Sequence, residues 1–167
     1  MRDDVDRLVE AWQRERPDVD VAPLEVLSRV TRIARQLDIL RRASFTADGL
    51  EPWEFDMLAA LRRAGAEATL SPGQLGAETM VTSGTITNRV DRLESRGLVR
   101  RQPDPDDRRG VRVALTDSGR DLVDRALVDW VERERIVLDG LTAGEQEHLA
   151  ACLRTIVHSM ESDTSVS

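Results

Sequence analysis

The chain has 167 residues, of which 33% are charged, and a net charge of −7 at neutral pH. This length predicts one domain with a hydrophobic core of its own. The single cysteine excludes an intrachain disulfide, and no apolar run approaches the ~20 residues of a membrane-spanning helix. We therefore expect a soluble, cytoplasmic protein.

The first third of the chain has the apolar periodicity of three helices. The first ends before Pro17, the second begins at Pro23, and the third begins at Pro52 and ends near Gly65. The apolar stripe of the first helix consists of Val5, Leu8, Val9 and Trp12.

Residues 71–97 have the pattern of two helices joined by a tight turn. Ser71 at the N-cap and Gln74 three residues later form a capping-box start, with proline at the first helical position. Thr82 or Ser83 opens the second helix, and Gly97 ends it. This is the arrangement of a helix-turn-helix that fits a DNA major groove.

The second of these helices has one apolar and one polar face. Ile86, Val90 and Leu93 recur at helical spacing and must face a core. Thr85, Asn88, Asp91 and Arg92 lie on the opposite side. We therefore predict that the following residues contact DNA: Ser83, Thr85, Thr87, Asn88 and Arg92.

An arginine-rich β-hairpin follows. Residues 98–102 and 111–115 alternate apolar and polar side chains, which predicts two half-buried strands. The intervening loop contains Arg108 and Arg109, which could enter a minor groove from the tip of this wing. The alternative is that both arginines pair with the neighbouring aspartates on a solvated loop.

Charge is distributed unevenly along the chain. Residues 82–112 contain eight arginines against five acidic residues, a local net charge of +3, so the remainder carries −10. A basic face on an acidic body orients a molecule on DNA and limits its non-specific association.

Two helices end the chain. A long helix begins after Thr116 and ends before Gly140, and a last helix begins after Thr142. Their apolar stripes exceed what a small winged-helix module can cover. We predict that they form a homodimer interface, which would hold two recognition helices about one DNA turn apart. The alternative is a monomeric helical cap on the core.

The predicted fold is mainly α with a small β-hairpin wing. It is a winged helix-turn-helix (residues 45–116) flanked by dimerisation helices (residues 1–44 and 117–167) in a single domain. We expect no enzyme, cofactor or metal, because His148 and His158 are ten residues apart and suit no shared metal site. Cys152 lies beside the apolar face of the last helix, which indicates packing rather than reactivity.

These segments resemble a known family. Residues 107–116, followed by Gly119, are similar to the wing of the multiple-antibiotic-resistance regulator (MarR) family, and residues 83–94 are similar to its recognition helix. The resemblance implies a homodimeric winged-helix repressor in which Arg109 enters the minor groove and Asp107 orients it.

Three positions are unusual for a DNA-binding module alone. Asp56 is the only charge in the apolar segment 55–61, so its carboxylate needs solvent or a cationic partner. Arg89 lies about 60° from Ile86 around its helix, on the flank of the apolar stripe. The first helix adds a large aromatic residue, Trp12, to the N-terminal end.

The same positions resemble the urate-responsive MarR-type regulators. That resemblance covers Trp12 with the string at residues 14–18, Asp56, Arg89 and Arg101, although the last could instead be Arg100. It implies a purine-type anion that binds with its ring against Trp12 and its charge on Arg89, and that releases the protein from DNA. It also implies that Asp56 pairs with Arg101. The alternative is that Trp12 packs in the dimer interface and Asp56 forms a salt bridge with an arginine, with no ligand bound. The protein would then be a constitutive or architectural DNA-binding protein.

Overall fold

The computed structural model describes residues 2–65, 69–105, 107 and 110–164. Its elements, in chain order, are α1 Asp4–Glu15, α2 Ala22–Ala47, α3 Pro52–Arg63, α4 Pro72–Thr79, α5 Ser83–Ser95, β1 Val99–Pro103, β2 Val111–Leu115, α6 Asp117–Leu138 and α7 Ala143–Thr164. The chain divides into two compact units, residues 1–126 and 127–167, with the boundary inside α6. None of the described helices is both long enough and apolar enough to span a membrane.

The helices begin where their capping residues predict. The Ser71 hydroxyl accepts a hydrogen bond from the Gln74 backbone N–H at 3.2 Å, and the Gln74 side-chain oxygen accepts one from the Ser71 backbone N–H at 2.9 Å. Thr82 is the N-cap of α5, and Gly97 follows its last turn at a φ of 70°. The start of α4 is therefore fixed by reciprocal side-chain hydrogen bonds, whereas Thr82 makes no side-chain capping bond at the start of α5.

The core of the first unit lies where α3, α4, α5 and the hairpin meet. Phe45 and Phe55 stack with ring centroids 4.1 Å apart. Further fully buried side chains of this unit are Met57, Leu58, Leu61, Leu75, Ile86, Leu93 and Val113. The predicted apolar stripe of α5 is thus confirmed as its core-facing side.

Helix α1 is attached to α2 by apolar packing and by an ion-pair network. Val5 and Val9 bury themselves against Val21. Arg29 of α2 donates hydrogen bonds to Asp3 and Asp6, and its hydrogen bonds hold the pKa of the Asp3 carboxyl at about 2. This network fixes the N-terminal helix that carries Trp12.

The hairpin is antiparallel, with Val99 opposite Leu115 and Arg101 opposite Val113. Val113 also exchanges backbone hydrogen bonds with Leu70, at 2.8 and 3.0 Å. The predicted alternation is wrong at the base of β2, where Val113, Ala114 and Leu115 are all buried. Packing on both faces of this short segment explains the departure.

The second unit consists of the last part of α6 together with α7. Thr142 and Glu145 form the predicted capping box. Large apolar side chains on both helices are exposed in the single protomer: Leu127, Val128, Val131, Ile136, Val137, Leu138, Leu149, Leu153, Val157 and Met160. The packing predicted for Cys152 is not seen in the protomer, since its thiol is exposed and lies 3.7 Å from His148 Nε2.

Candidate nucleic-acid interface and effector residues

The turn between α4 and α5 is tight. Met80 closes α4 in the left-handed region at a φ of 52°, and the Val81 N–H donates to the Gly76 carbonyl at 3.0 Å. A Cβ added at Gly76 would lie only 3.2 Å from the Val81 carbonyl oxygen. Glycine at this position therefore lets the two helices of the motif approach.

Helix α5 presents a polar face away from the core. Of the residues predicted to contact DNA, Ser83, Thr87, Asn88 and Arg92 are exposed. Thr85 is half-buried, and its hydroxyl lies 3.1 Å from that of Thr82 in the first turn. Asn88 and Arg92 lie about 40° apart around the helix, on one face of one rigid element, which is the geometry that base reading in a groove requires.

The wing is framed by an ion pair below its tip. The Arg112 guanidinium donates to the Asp104 carboxylate at 2.7 Å, and the Gly110 N–H donates to the Asp107 carbonyl at 2.8 Å. Asp107, predicted to orient the wing arginine, is exposed. Arg108 and Arg109 lie outside the described residues, so their roles stay predictions from the sequence.

Arg89 and Arg92 share an aromatic partner on α3. Their guanidinium carbons lie 5.1 and 4.9 Å from the ring centroid of Trp53, within the range of cation–π attraction. Neither arginine forms an ion pair with a carboxylate of the described residues. Trp53 itself is half-buried, and nothing in the sequence singled it out.

Arg101 connects the wing to the recognition helix. Its guanidinium bonds to Asp91 and Glu94, each at 2.5 Å, and its backbone N–H donates to Glu94 at 2.9 Å. The two hydrogen bonds that Glu94 accepts, from the backbone N–H and the guanidinium of Arg101, lower the pKa of its carboxyl. Burial alone would lower the pKa of Arg101, but the two carboxylates raise it. Arg101 thus faces α5, whereas Arg100 is exposed.

The expected pairing of Asp56 with Arg101 is wrong. Asp56 accepts a hydrogen bond from Arg41 of α2, and Arg101 is held by α5. Of the two expected alternatives, solvent or a cationic partner, Asp56 has both, since its side chain is 42% exposed, but the cation is Arg41 and not Arg101. Asp56 ties α3 to α2 instead of to the wing.

Trp12 stands apart from the other three residues of the predicted ligand site. Its side chain is 49% exposed on α1. Within the described residues, no hydrogen bond, ion pair or ring contact joins it to Asp56, Arg89 or Arg101. A ligand that touched all four residues would have to bridge α1 and the DNA-binding lobe.

A buried carboxylate near this surface was missed by the sequence reasoning. Glu54 is 2% exposed and accepts hydrogen bonds from the Glu51 N–H at 2.9 Å and from Arg96 at 2.5 Å. Arg96 also donates to the Gly49 carbonyl at 2.9 Å. The spacing of Glu51 and Glu54 is a capping-box signal that could have placed Glu54 at the helix start.

Comparison with known proteins places this geometry in a family. Residues 48–110 match the sequence model of the MarR family. The chain is 40% identical to the HTH-type transcriptional regulator PecS of Dickeya dadantii over 150 residues, 90% of each protein. It is 33% identical to the HTH-type transcriptional repressor NicR of Pseudomonas putida over 147 residues, 86% of this chain and 91% of NicR.

The chain belongs to the MarR family. A crystal structure of mutant MarR from E. coli complexed with operator DNA matches the fold with a TM-score of 0.68 and 28% identity, over 82% of this chain and 95% of that one. The predicted winged helix-turn-helix is therefore confirmed, as is the prediction that this MarR-family chain is a DNA-binding transcriptional regulator and not an enzyme. No group of side chains in the described ranges is arranged to hold a metal ion.

Proposed function

We propose that this MarR-family regulator is a homodimeric repressor that leaves a palindromic operator when a small aromatic anion, urate or another purine, binds it. Support for repression comes from its similarity to NicR, which is named a repressor, and support for operator binding from the E. coli MarR complex. Having one cysteine and no intrachain disulfide, it suits the reducing cytoplasm.

The observation that carries the proposal is the arrangement of three sides of α5. One side is buried, the opposite side exposes Asn88 and Arg92, and Arg89 is half-buried between them. Other arginines of the lobe, such as Arg96 and Arg101, already bond to carboxylates. Since Arg89 pairs with no described carboxylate, its guanidinium is available to an anion on the same helix that reads DNA.

Displacement of α5 would then transmit the effect of ligand binding to the DNA-binding surface. An anion held by Arg89 pulls on the helix, and the wing follows because Arg101 ties β1 to Asp91 and Glu94. The two recognition helices of the dimer, once displaced, no longer match half-sites one DNA turn apart. The affinity for DNA falls by the factor by which the ligand prefers the released form over the DNA-bound form. In this proposal the aromatic ring of the ligand packs on Trp12.

An operator-release assay tests the proposal. A palindrome selected from random DNA is bound by the wild-type protein and titrated with urate and with neutral purines. Loss of a charge-assisted hydrogen bond predicts that Arg89→Ala raises the urate concentration for half-release by about tenfold or more, while DNA binding persists at least partly. Arg100→Ala, which changes an exposed arginine of β1, serves as the control and should release normally.

Each outcome has a separate meaning. Equal urate sensitivity of Arg89→Ala and wild type would show that the ligand site is elsewhere. A wild-type protein that binds the palindrome but ignores every purine and aromatic acid would instead be a constitutive DNA-binding factor. Urate titration should also quench the tryptophan fluorescence of the wild type, and loss of most of that quench in Trp12→Phe would support the placement of the ligand ring.

A further inference from the structure

Trp53 lies where the predicted DNA-reading and effector-binding arginines converge. Arg92 belongs to the exposed face of α5, and Arg89 lies one turn earlier on its flank. Both guanidinium groups lie over the indole within the range of cation–π attraction, at 4.9 and 5.1 Å from one ring centroid. The two arginines therefore do not act independently of the ring.

Stacking holds an arginine without using its hydrogen-bond donors. The N–H groups of a guanidinium lie in its plane, so an aromatic face orients the group and leaves the N–H edge free for a base or a phosphate. Arg101, in contrast, has its donors occupied by Asp91 and Glu94. Among the described residues no acceptor takes a hydrogen bond from the Arg92 side chain, so Arg92 is pre-oriented on Trp53 with its donors available, and stacking reduces the rotamer freedom that is lost on binding.

We propose that Trp53 is a positioning residue that orients Arg92 for operator DNA and couples it to effector binding at Arg89. The coupling follows from the shared ring: an anion that draws Arg89 away changes the contacts that Trp53 offers to Arg92. This proposal rests on the proposed function, since it assigns the regulation of that same site.

A double-mutant cycle on the operator dissociation constant tests the DNA part. Trp53→Leu keeps an apolar side chain but removes the aromatic face, and should weaken operator binding roughly two- to fivefold. Trp53→Phe should recover part of the loss, since the phenyl ring attracts a cation less strongly than indole does. In an Arg92→Gln protein, Trp53→Leu should have no further effect on the operator dissociation constant.

Arg100→Gln provides the matched control for this cycle, because Arg100 is exposed and does not lie over Trp53. Its effect and that of Trp53→Leu should simply add. If Trp53→Leu weakens binding equally in the wild-type and Arg92→Gln backgrounds, with unfolding temperatures showing the same loss, Trp53 only supports packing and the proposal is overturned.

The effector part is measured on the same proteins with urate as the probe. Trp53→Leu should reduce the fold-change in operator affinity that urate causes, and Trp53→Phe should restore part of it. A wild-type protein that ignores urate contradicts the proposed effector but leaves the DNA cycle to decide the role of Trp53. A wild-type protein that responds to urate, with an unchanged response in Trp53→Leu, removes the coupling role.

Discussion

Single residues away from the DNA-binding face fix the position of the recognition helix. Glu54 at the start of α3 and Arg96 at the C-cap of α5 form an ion pair in which the carboxylate is 2% exposed. Arg96 also bonds to the Gly49 carbonyl, so one side chain joins the end of α5 to the connection before α3. A buried carboxylate is tolerated here because backbone and guanidinium donors satisfy it.

Arg96→Ala should lower the free energy of unfolding by about 2–4 kcal/mol, because it leaves the Glu54 carboxylate buried without its cation. Urea denaturation followed by circular dichroism measures the change. Arg100→Ala removes an exposed arginine and should stay within about 0.5 kcal/mol of wild type. Glu54→Gln keeps an oxygen that accepts from both donors and should cost less than Arg96→Ala. Equal stability of the Arg96→Ala and Arg100→Ala proteins would contradict a structural role for the pair.

At the scale of elements, the wing and recognition helix behave as one piece. β1 is bound to α5 through the Arg101 backbone and guanidinium, both of which reach Glu94. Gly119 of α6 completes the support, since a Cβ there would lie 1.9 Å from the Leu98 carbonyl oxygen. Only glycine therefore allows α6 to begin directly under the hairpin, which explains the glycine after the wing.

The contact between Glu94 and Arg101 should make stability depend on pH. The Arg101 N–H and guanidinium hold the pKa of Glu94 below its usual 4.5. The contribution of the ionised carboxylate is therefore full above that value and is lost as the pH falls through the lowered pKa. At pH 7 the free energy of unfolding of the wild type should exceed that of Glu94→Gln by up to about 1 kcal/mol, a small value because the pair is partly exposed. The difference should shrink in denaturation curves measured toward pH 3. Parallel curves over that range would exclude the link.

The elements were predictable from local signals, but their contacts were not. Ser71 marks the start of α4 through a bond to Gln74, and Gly97 marks the end of α5 through its positive φ, so both signals are local in the sequence. The partner of Asp56 depends instead on how α2 crosses α3, and any of several arginines met the electrostatic need. The contacts of Trp53 depend in the same way on the approach of α3 to α5. Long-range packing, rather than periodicity, decides these pairings.

At the scale of the whole molecule, the exposed apolar surface requires an explanation. Val26, Val30 and Ile33 lie on one side of α2 at helical spacing, and all three are exposed. On α7, the exposed Leu149, Leu153 and Val157 likewise follow one another at intervals of four residues. Contiguous apolar faces of this kind mark protein–protein interfaces. They support the predicted dimerisation role of the terminal helices.

The wild-type protein should therefore sediment as a dimer at micromolar concentration. Leu153→Asp places a charge in the apolar face of α7 and should shift the protein to monomer or aggregate, because an unpaired carboxylate is costly to bury in an interface. Ala151→Asp, about 160° away around the same helix, carries the same new charge and should remain dimeric.

Removal of residues 144–167 should give aggregate or unfolded chain, since the remaining apolar surface loses its cover. Sedimentation of wild type as a stable, soluble monomer would contradict both the dimer and the pair of recognition helices one DNA turn apart, since two half-sites cannot be read together by one protomer.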